Sequence, residues 1–320
     1  MGFGLKIASL FACAAALVSG VRALQASAIT FTTVDDPLGT NGTTATGVSG
    51  GTAVGWYLDS SSQEHGFIYD GTIYTTLDEP LADNRTRAQS IEGNVVVGWY
   101  VNSTPRKQGF RFDGSTWTTL NDPLAPGTNG TAAYGVSGSK IAGYYAGSIR
   151  PNGFIFDGST YTTLDDPLGS SGGGTQLYGI SGSNLIGAYL LHGTDSNFPE
   201  RYHGFRYDGA TFTDLNDPLA ASTTVPHGIF GSSIVGNYWD SSHVSHGFIY
   251  DGSAYSTVDD PLGTAGTSVN GVSVDQIVGS YTDSTGVSHG FIATIPEPGC
   301  LVIVCLGIMS RWRKLRPRAS

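Results

Sequence analysis

A fifteen-residue unit running from a Gly-Phe pair to a proline occurs five times, at residues 66–80 (GFIYDGTIYTTLDEP), 109–123, 153–167, 204–218 and 247–261. The distance from glycine to proline is identical in every copy, so the unit tolerates no insertion. Its order of residue types is that of a β-hairpin. Phe67, Ile68 and Tyr69 favour a strand, Asp70-Gly71 favours a tight turn, and Tyr74, Thr75 and Thr76 return as aromatic and β-branched residues. The proline then ends the second strand, because it has no N–H for a ladder and restricts the residue before it.

A second unit of fixed length lies between these hairpins. Its two glycines stand eight residues apart, as Gly47 and Gly55, Gly135 and Gly143, Gly179 and Gly187, Gly228 and Gly236, and Gly271 and Gly279; one copy carries Ser90 before Gly98. Each closes with a tyrosine: Tyr57, Tyr100, Tyr145, Tyr189, Tyr238 or Tyr281. Small residues followed by alternating apolar ones predict another hairpin. Length varies only in the two connections, as expected of loops between packed strands. The period of about 43 residues therefore holds four short strands, which is the pattern of a β-propeller blade. The longer spacing from Pro167 to Pro218 is expected to be one blade with longer loops.

The ends of the array complement one another. Residues 29–34 (ITFTTV) align with residues 72–77 as a fourth strand with no third strand before it, and residues 290–295 (GFIATI) form a third strand with no fourth after it. Joined, they complete a sixth blade. The expected fold is all-β, a six-bladed propeller of four-stranded blades over residues 29–295, closed by the N-terminal strand. Closure protects the edges that an open array would expose.

Residues 1–28 have the form of a secretory signal peptide, with Lys6, an apolar run at 7–18 and Ala26-Ser27-Ala28 as a cleavage pattern. Cys13 leaves a lipoprotein reading open, although the apolar stretch continues past it. Residues 296–320 begin with Pro296-Glu297-Pro298, pass through an apolar run at 299–309 and end in a basic cluster of Arg311, Arg313, Lys314, Arg316 and Arg318. That order resembles the PEP-CTERM sorting tail of Gram-negative bacteria. The resemblance implies recognition by an exosortase, a short membrane-embedded sorting helix that anchors the exported chain transiently, and a setting of envelope, exopolysaccharide and biofilm. The apolar run is short for a stable span, which needs about 20 residues, so an ordinary tail anchor stays open beside it.

The repeats also resemble the HAF family of extracellular repeats, through His65-Gly66-Phe67, His203-Gly204-Phe205, His246-Gly247-Phe248 and His289-Gly290-Phe291, with Gln108 and Asn152 in the other two copies. That resemblance implies an extracellular location and no catalytic residue.

All three cysteines, Cys13, Cys300 and Cys305, lie in the terminal segments, so the repeats must hold together without a disulfide. Residues 29–295 carry 25 Asp and Glu against nine Lys and Arg. Such an acidic balance argues against nucleic acid as a partner.

Four sets of residues could carry chemistry. Gly47-Val48-Ser49-Gly50-Gly51 fits a hydrolase G-x-S-x-G pattern, but it recurs as a hairpin turn with no strand-to-helix elbow. The blade histidines share one repeat position, so symmetry spreads them around the ring and favours hydrogen bonding at loop ends over metal binding. The carboxylates before the prolines (Asp35, Asp36, Asp78, Glu79, Asp122, Asp165, Asp166, Asp217, Asp259 and Asp260) are expected to form an acidic ring on one face. Among them Asp36, Asp166 and Asp260 are weak Ca²⁺ candidates, against the ordinary use of Asp before Pro in turns. Trp56, Trp99 and Tyr144 share one position that varies between blades, and aromatic faces there serve either packing or the stacking of sugar rings.

The expected function is that of an exported, non-enzymatic envelope or matrix protein, structural or adhesive, associated with extracellular polysaccharide. Its expected partners are the secretion machinery and an exosortase; no cofactor is expected, Ca²⁺ being only the weak candidate above. The alternative is a carbohydrate- or calcium-binding module with a defined ligand. A glycosidase would need a convergent acid pair, and no pair stands out from the repeat.

Overall fold

The computed structural model describes residues 29–295, apart from 105, 126–129, 170–172 and 196–197. The leader at 1–28 and the sorting tail at 296–320, with Pro296, Glu297, Pro298, Arg311, Arg313 and Lys314, lie outside the described residues. Among those described, the chain forms 24 strands in six four-stranded antiparallel units, the first two joined into one eight-stranded sheet by a single parallel pairing of Glu64 with Arg85.

The first strand, β1 (Thr30–Thr33), precedes the blades. Blade 1 consists of β2 (Thr43–Ser49), β3 (Thr52–Leu58), β4 (Glu64–Tyr69) and β5 (Tyr74–Leu77). Blade 2 consists of β6 (Arg85–Glu92), β7 (Val95–Val101), β8 (Lys107–Phe112) and β9 (Trp117–Leu120). Blade 3 follows as β10 (Thr131–Ser137), β11 (Lys140–Ala146), β12 (Pro151–Phe156) and β13 (Tyr161–Thr163). Blade 4 is β14 (Thr175–Ser181), β15 (Asn184–Asp195), β16 (Phe198–Tyr207) and β17 (Phe212–Leu215). Blade 5 is β18 (Thr224–Phe230), β19 (Ser233–Trp239), β20 (Ser245–Tyr250) and β21 (Tyr255–Val258). Blade 6 has only β22 (Gly266–Val272), β23 (Gln276–Thr282) and β24 (Ser288–Thr294) from its own stretch of chain.

Its fourth strand is β1, paired antiparallel with β24 in the register Thr30 to Thr294 and Thr33 to Phe291. The substitution extends to side chains. In five blades the buried phenylalanine of the third strand meets an aromatic ring of the fourth edge-on, as Phe67 does Tyr74 at 5.7 Å. In blade 6 the pair is Phe291 with Phe31 at 5.2 Å. Likewise the closing tyrosine of each second strand reaches the fourth strand, Tyr57 to Thr76 at 3.2 Å and Tyr281 to Thr33 at 3.1 Å. Blade 6 in turn meets blade 1: Asn270 Nδ2 donates to the Ala45 carbonyl at 2.9 Å, and Ser288 Oγ to that of Thr43 at 3.3 Å.

The blade interior explains the glycine spacing. Phe67, Phe110, Phe154, Phe205, Phe248 and Phe291 are completely buried, each opposite the second glycine of the neighbouring strand. A Cβ on Gly55 would stand 2.0 Å from the Thr44 carbonyl oxygen and 2.8 Å from the Phe67 ring, and the same clash recurs in every blade. Only glycine lets the ring lie against the ladder. Burying each ring is worth about 2–3 kcal/mol.

With strands alternating up and down, the turns between the first and second and between the third and fourth strands of a blade (the a–b and c–d turns) emerge on one face, the turn face, and the two variable connections on the other, the loop face. The turns are built as the sequence indicates: Asp70 Oδ1 accepts the amides of Thr72 and Ile73 at 2.8 Å, and Gly71 takes φ +96°. Blade 4 departs from expectation. Its 51-residue spacing is not taken up by irregular loops; β15 and β16 continue their antiparallel pairing beyond Tyr189 and His203 to Asp195 and Phe198. A hairpin that keeps its ladder satisfies backbone groups that a loop would leave to solvent.

Candidate functional site

The first strand of every blade faces the centre, and each carries a register shift at the residue before its leading glycine or serine. A bulge leaves one residue without a cross-strand partner and re-aims its side chain. The bulged residues are Thr46, Gln89, Tyr134, Tyr178, His227 and Asn270, one per blade, and all six line the central cavity. The frame around them repeats, while the ring itself holds five residue types.

This ring divides the channel into two compartments. One, of about 230 Å³, runs toward the a–b turns and is lined by residues such as Ser49, Glu92 and Ser137. The other, of about 270 Å³, opens at the start of the inner strands on the loop face, where Thr44, Trp56 and Arg87 join the ring. Ser49 belongs to a hairpin and accepts the Gly93 amide of the next blade at 3.2 Å, so the G-x-S-x-G match forms a contact between blades rather than a nucleophile elbow.

The three aromatic residues singled out in the sequence share one register position, opposite Thr44, Arg87 and Ala132. They meet around two cations. The Arg87 guanidinium lies 3.8 Å from the Trp56 ring and 5.1 Å from that of Trp99, and the Lys107 ammonium lies 4.6 Å from Trp99 and 5.5 Å from Tyr144. Lys107 Nζ donates to the Tyr144 hydroxyl at 3.0 Å. Arg87 is fixed from behind by the buried Glu64, with two hydrogen bonds of 2.7 and 2.8 Å. Tyr144 stacks on Tyr134 at 5.4 Å, which connects the cluster to the channel ring. Trp99 is buried and takes the packing role, and its Nε1 finds no acceptor among the described residues. Trp56 and Tyr144 are half-buried, and Trp56 lines the mouth directly.

The ring groups are neutral at ordinary pH. Burial first, then the neighbouring Tyr144 and Tyr178, pushes the Tyr134 hydroxyl well above the usual range; burial does the same to Tyr178. Burial also lowers the pKa of His227, outweighing its hydrogen bond from Nε2 to Asn237 Oδ1 at 2.7 Å. Sequence reasoning missed this ring. The signal was present, since the residue before the leading glycine or serine takes five types in six copies while a glycine or serine always follows it.

The carboxylates expected as an acidic ring on the loop face divide into two sets, and the inner set takes the turn role that the sequence also offered. In every copy the carboxylate directly before the proline (Asp36, Glu79, Asp122, Asp166, Asp217 or Asp260) is buried inside its own loop. Each accepts the amide of the leucine two residues on, as Asp36 does from Leu38 at 2.9 Å, and its own amide donates to the first threonine of the next strand. The Ca²⁺ candidates Asp36, Asp166 and Asp260 sit in three separate loops, their carboxylates turned to backbone N–H groups. Among the described residues no three His, Cys, Asp or Glu converge to hold a metal ion.

The carboxylate one residue earlier instead holds the blade histidine, as the loop-end reading expects. His65 Nδ1 donates to Asp78 at 2.7 Å, His246 to Asp259 at 2.8 Å and His289 to Asp35 at 2.7 Å. A second carboxylate, from Asp59, Asp240 or Asp283, lies 3.5 to 3.7 Å from the other ring nitrogen. Each ring also stacks on the closing tyrosine of its blade. In blade 3 Asn152 takes the same place, donating to Asp165 at 2.6 Å.

No family model matches the chain, and no curated protein matches it. Among solved structures it is similar to the fucose-recognising six-bladed β-propeller lectin of Aleuria aurantia, with 14% identity, 78% of this chain and 90% of that chain covered, and a TM-score of 0.48. TolB from Acinetobacter baumannii is similar at 14% identity, covering 76% and 64% of the two chains with a TM-score of 0.48. The β-propeller domain of the Trilobed protease from Pyrococcus furiosus, with open velcro topology, follows at 10% identity, 76% and 78% coverage and a TM-score of 0.45. These likenesses transfer no binding residue.

The histidine clamps give the fold a pH dependence. Burial disfavours the charged forms of His246 and His289, but their paired aspartates outweigh it and hold both pKa values above the ordinary one. A raised folded-state pKa stabilises the fold below the unfolded value, and that stabilisation is lost as pH rises through the folded one. The melting temperature is therefore expected to fall between pH 6 and pH 8.5, and to fall less in the double variant His246→Gln, His289→Gln. Parallel profiles for parent and variant would contradict this.

Proposed function

We propose that this chain is a non-catalytic, exported propeller that binds saccharide at the loop-face mouth of its channel. The observation that carries the reading is the composition of that mouth: the half-buried Trp56 ring beside the hydroxyl and amide groups of Thr44, Gln89 and Tyr134. Sugars present C–H faces that lie on aromatic rings and hydroxyls that pair with such neutral groups. The acid pair that glycoside hydrolysis requires has no counterpart in this lining. Of the two functions expected from the sequence, this supports the carbohydrate-binding one. Calcium is not part of the proposal, since the loop carboxylates are committed to backbone amides.

Binding to a panel of immobilised oligosaccharides should show at least one ligand that the full chain retains. Trp56→Ala should weaken that binding tenfold or more while unfolding cooperatively. Unchanged binding in the variant, or no saccharide bound by the parent, would contradict the reading.

Export and anchoring belong to the same proposal. The leader at 1–28 directs the chain across the inner membrane, and the Pro296-Glu297-Pro298 tail is read by an exosortase that delivers the propeller to the envelope or its polysaccharide matrix. The intact mass of the extracellular form should correspond to loss of both segments. A mature protein that retains both, found in the cytoplasm, would contradict it.

A further inference from the structure

Basic residues are not spread over the propeller. Of the nine Lys and Arg in residues 29–295, five belong to blade 2: Arg85, Arg87, Arg106, Lys107 and Arg111. All but Arg111 lie at its loop-face end, at the start of β6 and β8 or just before them.

The same blade lacks the acidic groups that three other blades keep there. Blades 1, 5 and 6 each place an Asp–His–Asp clamp at this end, such as Asp59, His65 and Asp78. At the three equivalent positions blade 2 has Asn102, Gln108 and Asn121. The loop geometry is nonetheless kept, for Asn102 Oδ1 accepts the Thr104 amide at 3.2 Å as Asp59 Oδ1 accepts that of Ser61 at 2.8 Å. Turn formation alone therefore does not account for the exchange of charge. Three potential carboxylate or imidazole groups have become neutral, and two cations, Arg106 and Lys107, have been added beside them.

Lys107 is positioned to use that field. Its ammonium is bonded to a neutral hydroxyl, that of Tyr144, and among the described residues it forms no ion pair with a carboxylate. Arg87 differs, being neutralised by Glu64, so it serves to orient Trp56. Lys107 shares the Trp99 ring with Arg87, which places it next to the channel mouth. A cation half-removed from water, held over aromatic faces and lacking a counter-charge, attracts an anion more strongly than an exposed lysine does.

We propose that the channel mouth at blade 2 selects an anionic saccharide, one carrying a carboxylate or sulfate group, with Lys107 as the charge partner and Trp56 and Tyr144 as stacking surfaces. The proposal rests on the saccharide reading above and adds its charge. In a chain whose propeller is otherwise strongly acidic, this corner also steers such a polymer toward one blade and away from the others.

Titration calorimetry of the full chain with a hexamer of galacturonate, a sulfated dextran oligomer and neutral cellohexaose separates the outcomes. At least one of the two anionic probes is expected to bind ten times more tightly than cellohexaose, with affinity falling as salt rises. Which of the two binds identifies the anion as carboxylate or sulfate. Lys107→Gln should remove most of that preference, and Lys107→Arg should restore part of it, with the melting temperature checked for each. Equal binding of the neutral and anionic hexamers, or a preference untouched in Lys107→Gln, would overturn this inference and leave the saccharide reading standing. Binding of none of the three would overturn both.

Discussion

Every blade depends on one contact, the face of a buried phenylalanine against a glycine of the adjacent strand. The contact is demanding on both sides. The ring fills the space between the inner and outer strands, and the glycine must lack a Cβ because both the ring and a carbonyl of the innermost strand occupy its place. From this follow the fixed lengths of the two hairpin units, since a one-residue slip would turn the phenylalanine to the opposite side of the sheet. The aromatic residue and the threonine of the fourth strand are then set against the ring and the closing tyrosine. When Phe31 and Thr33 reproduce those two contacts from the other end of the chain, β1 enters blade 6 as an ordinary member of the repeat.

Because packing fixes so much of each blade, the variation that bears on the site gathers at a few positions around the channel mouth. The bulge residues are one such set. A bulge costs a ladder pairing, yet it recurs in all six inner strands and sets at the channel a side chain whose type differs from blade to blade. The second set is the register position of Trp56, Trp99 and Tyr144, and the third is the loop-face end of blade 2. All three adjoin the same mouth. Repetition thus supplies the scaffold, and departures from it supply the chemistry.

The blades were legible in the sequence because their determinants are local and repeated. Asp70-Gly71 makes a turn wherever it stands between strand formers, and the incomplete ends at residues 29–34 and 290–295 complement one another in plain view. The site was less legible. Trp56 and Tyr144 could be noticed as variable aromatics, but their relation to Arg87 and Lys107 spans blades and follows from the packing of one sheet on the next. The loop carboxylates were legible only in part, for a related reason. Asp-Pro looks exposed in a loop, whereas Asp36 and its equivalents turn inward to cap amides, an arrangement set by the threonine seven to nine residues later. The long spacing in blade 4 reads as loop because nothing in its composition marks the continued pairing of β15 with β16.

The contact between glycine and phenylalanine is tested most directly by adding the one carbon it excludes. Equilibrium unfolding of Gly55→Ala should show a loss of about 2 kcal/mol or more, the upper part of the range for overpacking a filled core, with a clear fall in melting temperature. A variant within about 0.5 kcal/mol of the parent, the ordinary range for a surface substitution, would mean that the ring does not press on the backbone as described, and the account of the blade would fail with it.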